Sequence, residues 1–303
     1  MRTVLDQLAP GARVAILRLR SLGDCVLTTS AIRVLKRYRD DLAIAVVVEP
    51  RFRAVFTGNP DIELLLEPEI RLVRAFRPEL CLNFHGGARS AQLTFLSGAR
   101  LRAGFEHYRF SFLYNVRIPR AQQILKEERI VHTVEHLSSA MFYLGVPDRE
   151  IPRAGLFPVV PPPPVDKPFC VFHPLASQPA KTWPAGSFVE VARSIQRELH
   201  PVFVGAAGDD LTPFSEFTCL RGNSLEQVKS LLANAALFVG NDSGPAHMAA
   251  AFGVPVVVLF GPSDSNVWYP WRTPSRVLRS REGIDCISVE RVVQSLQELR
   301  VTV

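Results

Sequence analysis

Phe238-Val-Gly-Asn-Asp-Ser-Gly-Pro-Ala-His-Met-Ala-Ala-Ala-Phe-Gly-Val-Pro-Val-Val-Val-Leu-Phe-Gly-Pro262 decides how this chain folds. Ala236 to Val239 is an apolar run that stops at Gly240. Gly240-Asn-Asp-Ser-Gly244 is turn chemistry, and Pro245 suits the first turn of a helix, where its missing N–H costs nothing. The spacing predicts a short helix over His247–Phe252, stopped by Gly253. Val254–Phe260 is a β-branched run typical of a buried parallel strand. The whole reads as a βαβ unit. A helix opening on a Ser-Gly turn at a strand end presents backbone N–H groups that suit an anion, usually a phosphate. The bland alternative is an ordinary crossover whose turn is Gly-rich for geometry alone.

The same alternation extends upstream. Strands are expected at Ala12–Leu19, Leu42–Val48, Ile62–Leu66, Leu80–Phe84 and Ala103–Phe105. Helices are expected over Cys25–Tyr38, Pro50–Phe56, Ile70–Phe76, Arg89–Ser97 and Glu128–Leu144, while Phe110–Pro119 reads as aromatic and irregular. Ile151–Pro168 then carries prolines at 152, 158, 161–164 and 168, which no helix or central strand can hold. Alternation restarts with a strand at Phe169–His173, a polar loop to Trp183 and a helix over Ala185–Leu199. A strand at Val202–Val204 follows, then a helix over Ser224–Asn234 with a Ser-x-x-Gln start, and a last helix over Val289–Leu299. The expected fold is α/β, with two Rossmann-like doubly wound domains facing each other across a cleft. Their expected extents are 1–158 and 169–303, joined by a proline-rich linker at 159–168, with the last helix a candidate to pack back on the first domain. Ligands of such sheets bind beyond the carboxyl ends of the strands, where Asp24, His85, the 174–183 loop, Gly205–Asp210 and Asp242–His247 all fall.

Composition bounds the function. A chain of 303 residues, 47% hydrophobic and 21% charged, is globular and too apolar for disorder. Met1–Pro10 has no apolar signal region and no run approaches the ~20 residues of a membrane span, so a cytoplasmic protein is expected. Five scattered cysteines without a CxxC pair predict reduced thiols and no structural zinc site. The net charge of +6 is uneven: through Val165 there are 23 Lys and Arg against 16 Asp and Glu, and beyond it 12 against 13. A basic first half suits an anionic partner. No recognition helix or RNA-binding motif is present, so nucleic acid is not the expected one.

Three motifs carry a resemblance. Leu19-Arg-Ser-Leu-Gly-Asp24, His173-Pro-Leu-Ala-Ser-Gln-Pro-Ala-Lys-Thr-Trp-Pro184, and Gly240-Asn-Asp-Ser-Gly-Pro-Ala-His247 with Phe260-Gly-Pro262 closely resemble the ADP-heptose:lipopolysaccharide heptosyltransferase family, glycosyltransferase family 9. Ser224-Leu-Glu-Gln-Val fits the segment before the third motif. The resemblance implies a GT-B fold with an acceptor-binding first domain and a nucleotide-sugar-binding second domain. It also implies an inverting transfer that uses no metal or other cofactor, ADP-sugar being a substrate.

The resemblance assigns roles residue by residue. Asp24 becomes the general base for the acceptor hydroxyl, a role worth typically ~10²–10⁴-fold. Its plain alternative is a helix N-cap, and a helix N-terminus would weaken it as a base. Lys181 meets the charge on the departing diphosphate and Ser177 contacts phosphate, while Ala176 offers no hydroxyl. Ser243 and Gly244 hold the diphosphate, Asp242 contacts the sugar, and His247 lies near enough to serve as a second cation. Asp209 (or Asp210) takes the ribose hydroxyls, and Asn223 matches a position whose backbone meets adenine. For the acceptor, a lipopolysaccharide core or related anionic glycolipid at the inner membrane surface, the candidates are Arg20, His85, Arg89 and Arg109. The competing readings are a GT-B transferase with another nucleotide sugar or acceptor, and a non-catalytic two-domain protein that binds nucleotide or sugar.

Overall fold

The computed structural model describes residues 2–147, 149–166 and 168–301. Lys167, inside the expected linker, and Met1, Asp148, Thr302 and Val303, inside the expected domains, lie outside the described residues. The chain divides into two compact units, Met1–Phe157 and Pro158–Val303.

The first unit runs β1 (Arg13–Leu17), α1 (Leu22–Tyr38), β2 (Ala43–Val47), α2 (Arg53–Phe56), β3 (Leu64–Leu66) and α3 (Ile70–Phe76). It continues with β4 (Leu80–Asn83), α4 (Ala88–Leu96), β5 (Leu101–Phe105), β6 (Val116–Ile118), α5 (Ala121–Leu125) and α6 (Thr133–Leu144). The six strands form one parallel sheet in the order β3-β2-β1-β4-β5-β6. β1 is central: Leu17 is in register with Val47 on one side and Asn83 on the other. Its apolar residues are fully buried, as expected of a strand covered on both faces.

The second unit repeats the plan. Its elements are β7 (Phe169–His173), α7 (Ala185–Ile195), β8 (His200–Gly205), β9 (Thr218–Arg221), α8 (Leu225–Leu232) and β10 (Leu237–Asn241). Then come α9 (Gly244–Phe252), β11 (Val256–Phe260), α10 (Ser265–Trp268), β12 (Ser275–Arg279) and α11 (Val289–Val301). The parallel sheet has the order β12-β11-β10-β7-β8-β9, with β7 central. Its core is aromatic: Phe203 stacks on Phe172, Phe214 and Phe217 at centroid distances of 4.8, 4.3 and 5.4 Å. Emptying such a site by Phe→Ala costs about 3–5 kcal/mol. α11 packs on α7 within this unit, burying Val292, Leu296 and Leu299 in the same core. Ser230 Oγ donates to the Val160 carbonyl at 2.6 Å, tying the proline-rich stretch to α8.

Several local expectations change. Phe110–Pro119 is not wholly irregular, because Val116–Ile118 forms β6 and pairs with β5. The helix expected over Glu128–Leu144 begins only at Thr133. Its start is a capping box: Val134 N–H donates to His132 Nδ1 at 3.1 Å and His132 N–H to Glu135 Oε2 at 2.8 Å, with Arg129 clamped on Glu135 at 2.6 Å. α1 starts at Leu22, which puts Asp24 inside the first turn instead of at the cap. The Ser224–Gln227 capping box expected before α8 is present.

Candidate active site

In a doubly wound sheet the crevice lies where the chain reverses direction across the strands. In the first unit that point falls between β1 and β4, and two short segments end there. The β1–α1 turn is pinned by Arg18 N–H to the Val47 carbonyl (3.1 Å) and Glu49 N–H to the Leu19 carbonyl (2.9 Å). Within it Ser21 has φ 74°, a left-handed value that costs a non-glycine residue of order 1–3 kcal/mol and that clusters at functional sites. This turn delivers Asp24, about a quarter exposed, against the buried guanidinium of Arg18, with Nη1 3.5 Å from Oδ1. Arg18 is itself held by Thr28, whose Oγ accepts from Nε at 3.1 Å and donates to the Asp24 carbonyl at 2.7 Å.

The turn after β4 carries His85. Asn83 Oδ1 accepts from the backbone N–H of both His85 and Gly86, at 2.9 and 3.0 Å, and Asn83 Nδ2 donates to Tyr114 Oη at 2.9 Å. Tyr108 Oη donates to the Phe84 carbonyl (3.1 Å), and its ring lies where a Cβ on Gly86 would come within 2.9 Å. Gly86 also has φ +75°, so glycine is required twice over. Burial, then the charges of Arg18 and Arg20, hold the His85 imidazole below its ordinary pKa. His85 is therefore a neutral hydrogen-bonding group at neutral pH. Arg20 is exposed, and Arg109 sits over the Phe110 ring at 5.5 Å. Arg89 donates to the Pro68 carbonyl at 3.1 Å and lies 3.8 Å from Glu49, so its guanidinium is tied into the fold.

The second unit reverses direction between β7 and β10, and there a cleft of about 330 Å³ opens. Ser177, Asp209, Asp242, Ser243 and Gly244, each singled out in the sequence, line it together. Lys181 reaches Asp242 at 3.4 Å from a 3-10 turn over Pro179–Lys181. That turn packs on Gly261, where a Cβ would collide with the Ala180 carbonyl; this is the physical reason for glycine in Phe260-Gly-Pro262. Asn241 staples the loop to β10, accepting from Trp183 N–H at 3.1 Å and donating to the Pro174 carbonyl at 2.8 Å. Trp183 is a buried packing residue whose indole N–H donates to the Ile287 carbonyl at 2.9 Å.

Ser243 occupies the N-cap position of α9, yet its side chain does not cap the helix. Its Oγ pairs instead with His173 Nδ1 at 3.1 Å. Burial pushes His173 down to about 4, so it is neutral at pH 7 and Lys181 supplies the positive charge. Asp209 folds back to accept from Ala206 N–H at 2.6 Å while still facing the cleft; Asp210 is exposed and accepts from Thr212 N–H. Three expected residues do not line the cleft: Lys181, which reaches it only through Asp242, His247 and Asn223. His247 is buried in α9, edge-on to Trp268 at 6.1 Å. Asn223 lies between β9 and α8, on a loop whose Gly222 N–H bonds the Gly205 carbonyl beside the Asp209 loop. Among the described residues no cluster of three or more His, Cys, Asp or Glu is arranged to hold a metal ion, and all five cysteines are free.

Fold and site together define a two-domain, doubly wound α/β protein whose second domain opens a polar cleft beside the N-terminus of α9. Residues 70–296 match the model of glycosyltransferase family 9 (heptosyltransferase), and the chain belongs to that family. It is 26% identical to lipopolysaccharide heptosyltransferase 3 of Escherichia coli over 346 residues, covering 93% of this chain and 96% of that protein. Among solved structures it superimposes on a glycosyl transferase family 9 protein from Veillonella parvula with TM-score 0.84, at 21% identity over 96% of this chain and 98% of that one. It superimposes on the Escherichia coli heptosyltransferase WaaC with ADP with TM-score 0.80, at 20% identity over 95% and 99%. The fold is GT-B.

Four residues at these sites escaped the sequence reading. Arg18 and His173 both sit at strand ends, where a polar side chain after an apolar run is the available signal. Asn83 and Tyr108 act through contacts that tertiary structure brings to them, Asn83 on the Tyr114 hydroxyl and Tyr108 on the Phe84 carbonyl.

Proposed function

We propose that the chain transfers a heptose-like sugar from an ADP-sugar to an anionic glycolipid of the lipopolysaccharide-core type, with inversion at the anomeric carbon. The observation that carries this is the cleft at the β7/β10 switch point. The open N-terminus of α9 and Lys181 point to a diphosphate there, and Ser177 and Ser243 add hydroxyls. In this reading Asp242 contacts the sugar and Asp209 the ribose, with Asn223 beside them at the base. Family membership adds support, as does the likeness to a heptosyltransferase solved with ADP.

Asp24 takes the proton of the acceptor hydroxyl. The hydroxyl oxygen bonds to the anomeric carbon as the bond to the diphosphate breaks, so attack from the opposite face inverts the centre. The electron pair leaves with the nucleoside diphosphate, where Lys181 and the α9 N–H groups meet the developing charge in place of a metal ion. Arg18 beside Asp24 holds the carboxylate in place. Arg20, His85, Arg89 and Arg109 are proposed on the acceptor side. The first domain, 1–158, would handle the acceptor and the second, 169–303, the donor, in the cytoplasm. The test is ADP release by purified protein with ADP-heptose and a core glycolipid, against UDP- and GDP-sugars and with a chelator present. Turnover with ADP-heptose that persists in chelator supports the proposal; no release from any ADP-sugar sinks it.

A further inference from the structure

From α4 to α5 the chain presents a surface that shares only Arg89 and Arg109 with the proposed acceptor side. Residues 88–120 contain six arginines and one acidic residue, Glu106. The same segment exposes large apolar groups: Phe112 is 67% exposed, Phe95 49% and Leu96 38%. These are joined into one patch by contacts. Arg102 lies over the Phe95 ring at 5.7 Å, and its Nε donates to the Leu113 carbonyl at 3.4 Å, linking α4 to the turn that holds Phe112. Phe110 and Phe112 lie 6.4 Å apart, and Arg109 covers Phe110 at 5.5 Å.

We propose that this arginine-and-phenylalanine patch on the first domain docks the protein on an anionic lipid bilayer, with Phe95, Leu96 and Phe112 entering the headgroup boundary and Arg102 and Arg109 meeting lipid phosphates. The charge argues for the occupant. A purely apolar patch would suit another protein, and a purely basic one would suit nucleic acid. Phenylalanines paired with guanidiniums suit an interface that is greasy inside and negative outside. Each arginine near such a surface is worth about 1 kcal/mol, roughly fivefold in partition, and insertion of an exposed phenylalanine is worth roughly tenfold or more.

The test is co-sedimentation of the full chain with phosphatidylcholine vesicles and with vesicles containing phosphatidylglycerol. These vesicles carry no sugar acceptor, so the outcome is independent of the transfer activity. Binding to phosphatidylglycerol vesicles alone is expected, weakening with salt, falling about fivefold in Arg109→Gln and about tenfold in Phe112→Ser. Phe112 is the most exposed of the three, so its replacement should leave the unfolding temperature unchanged and a folding artefact would be visible. Wild-type protein remaining in the supernatant overturns the proposal. So does equal binding by Phe112→Ser, or a concentration-dependent dimer that Phe112→Ser dissolves.

Discussion

The two domains share one strand order and use it differently. Each places its first strand centrally, its second and third strands on one side and its fourth to sixth on the other. At the switch point of the second domain the chain forms a cleft lined by small and polar groups beside a helix N-terminus. At the corresponding point of the first, Arg18, Asp24 and His85 gather, held by a strained turn and two tyrosines. Surfaces differ as well. Among the described residues, seven of the eight exposed large hydrophobics belong to the first domain, Val159 being the exception. A nucleoside diphosphate is a constant shape that backbone can cradle, whereas a bulky acceptor must be met by side chains. On the proposed division of donor and acceptor, one architecture would serve two kinds of recognition.

The sharpest way to break this comparison is Asp24→Asn. Turnover should fall ~10²–10⁴-fold while ADP affinity stays at the wild-type value, measured by ADP release and by calorimetry. Equal loss of both would mean that the two sites are not divided by role. Lys181→Met should lower both, cutting turnover by ~10²–10³ and weakening ADP as well.

The third prediction concerns pH, and it treats the domains alike. Burial pushes His136 in the first domain and His173 in the second to about 4, against an ordinary 6.5. Between those values the unfolded chain binds more protons than the folded one, so stability rises with pH through this window and is lost as pH falls through it. Each group contributes up to ~3 kcal/mol. Denaturant midpoints should decline from pH 6.5 to 4, and His136→Phe should flatten the slope. An unchanged slope in that variant would remove His136 from the account. Smallest is Gly86→Ala, where strain and the Tyr108 ring should cost ~1–3 kcal/mol, read as a lowered melting temperature. No change would show that the turn relaxes freely.

Central strands were legible because burial on both faces leaves a continuous apolar run, as in Val256–Phe260. Of the four edge strands only Leu64–Leu66 was, inside the expected Ile62–Leu66. Val116–Ile118, Thr218–Arg221 and Ser275–Arg279 all lie at sheet edges, are three to five residues long and keep polar positions exposed, so they carry no such run. Helix starts follow the same logic: Ser224-Leu-Glu-Gln is a local signal and was found, whereas α6 begins where a histidine serves as the cap. At the site, the family resemblance singled out Ser177, Asp209, Asp242, Ser243 and Gly244, which the strand-end turns of the second domain bring to one cleft. Position within α9 did not reveal that His247 turns inward.

Sequence alone determined the alternating α/β plan, the two-part organisation and the strand ends at which chemistry gathers. These depend on periodicity, on proline and on glycine, all of which act over a few residues. Only tertiary structure decided that Arg18 lies against Asp24, that His173 rather than a helix N–H engages Ser243, and that Gly261 lets Lys181 approach Asp242. Each of the last two joins residues more than sixty positions apart, and Arg18–Asp24 depends on the strained turn between them. Burial and close packing, not local propensity, set such contacts.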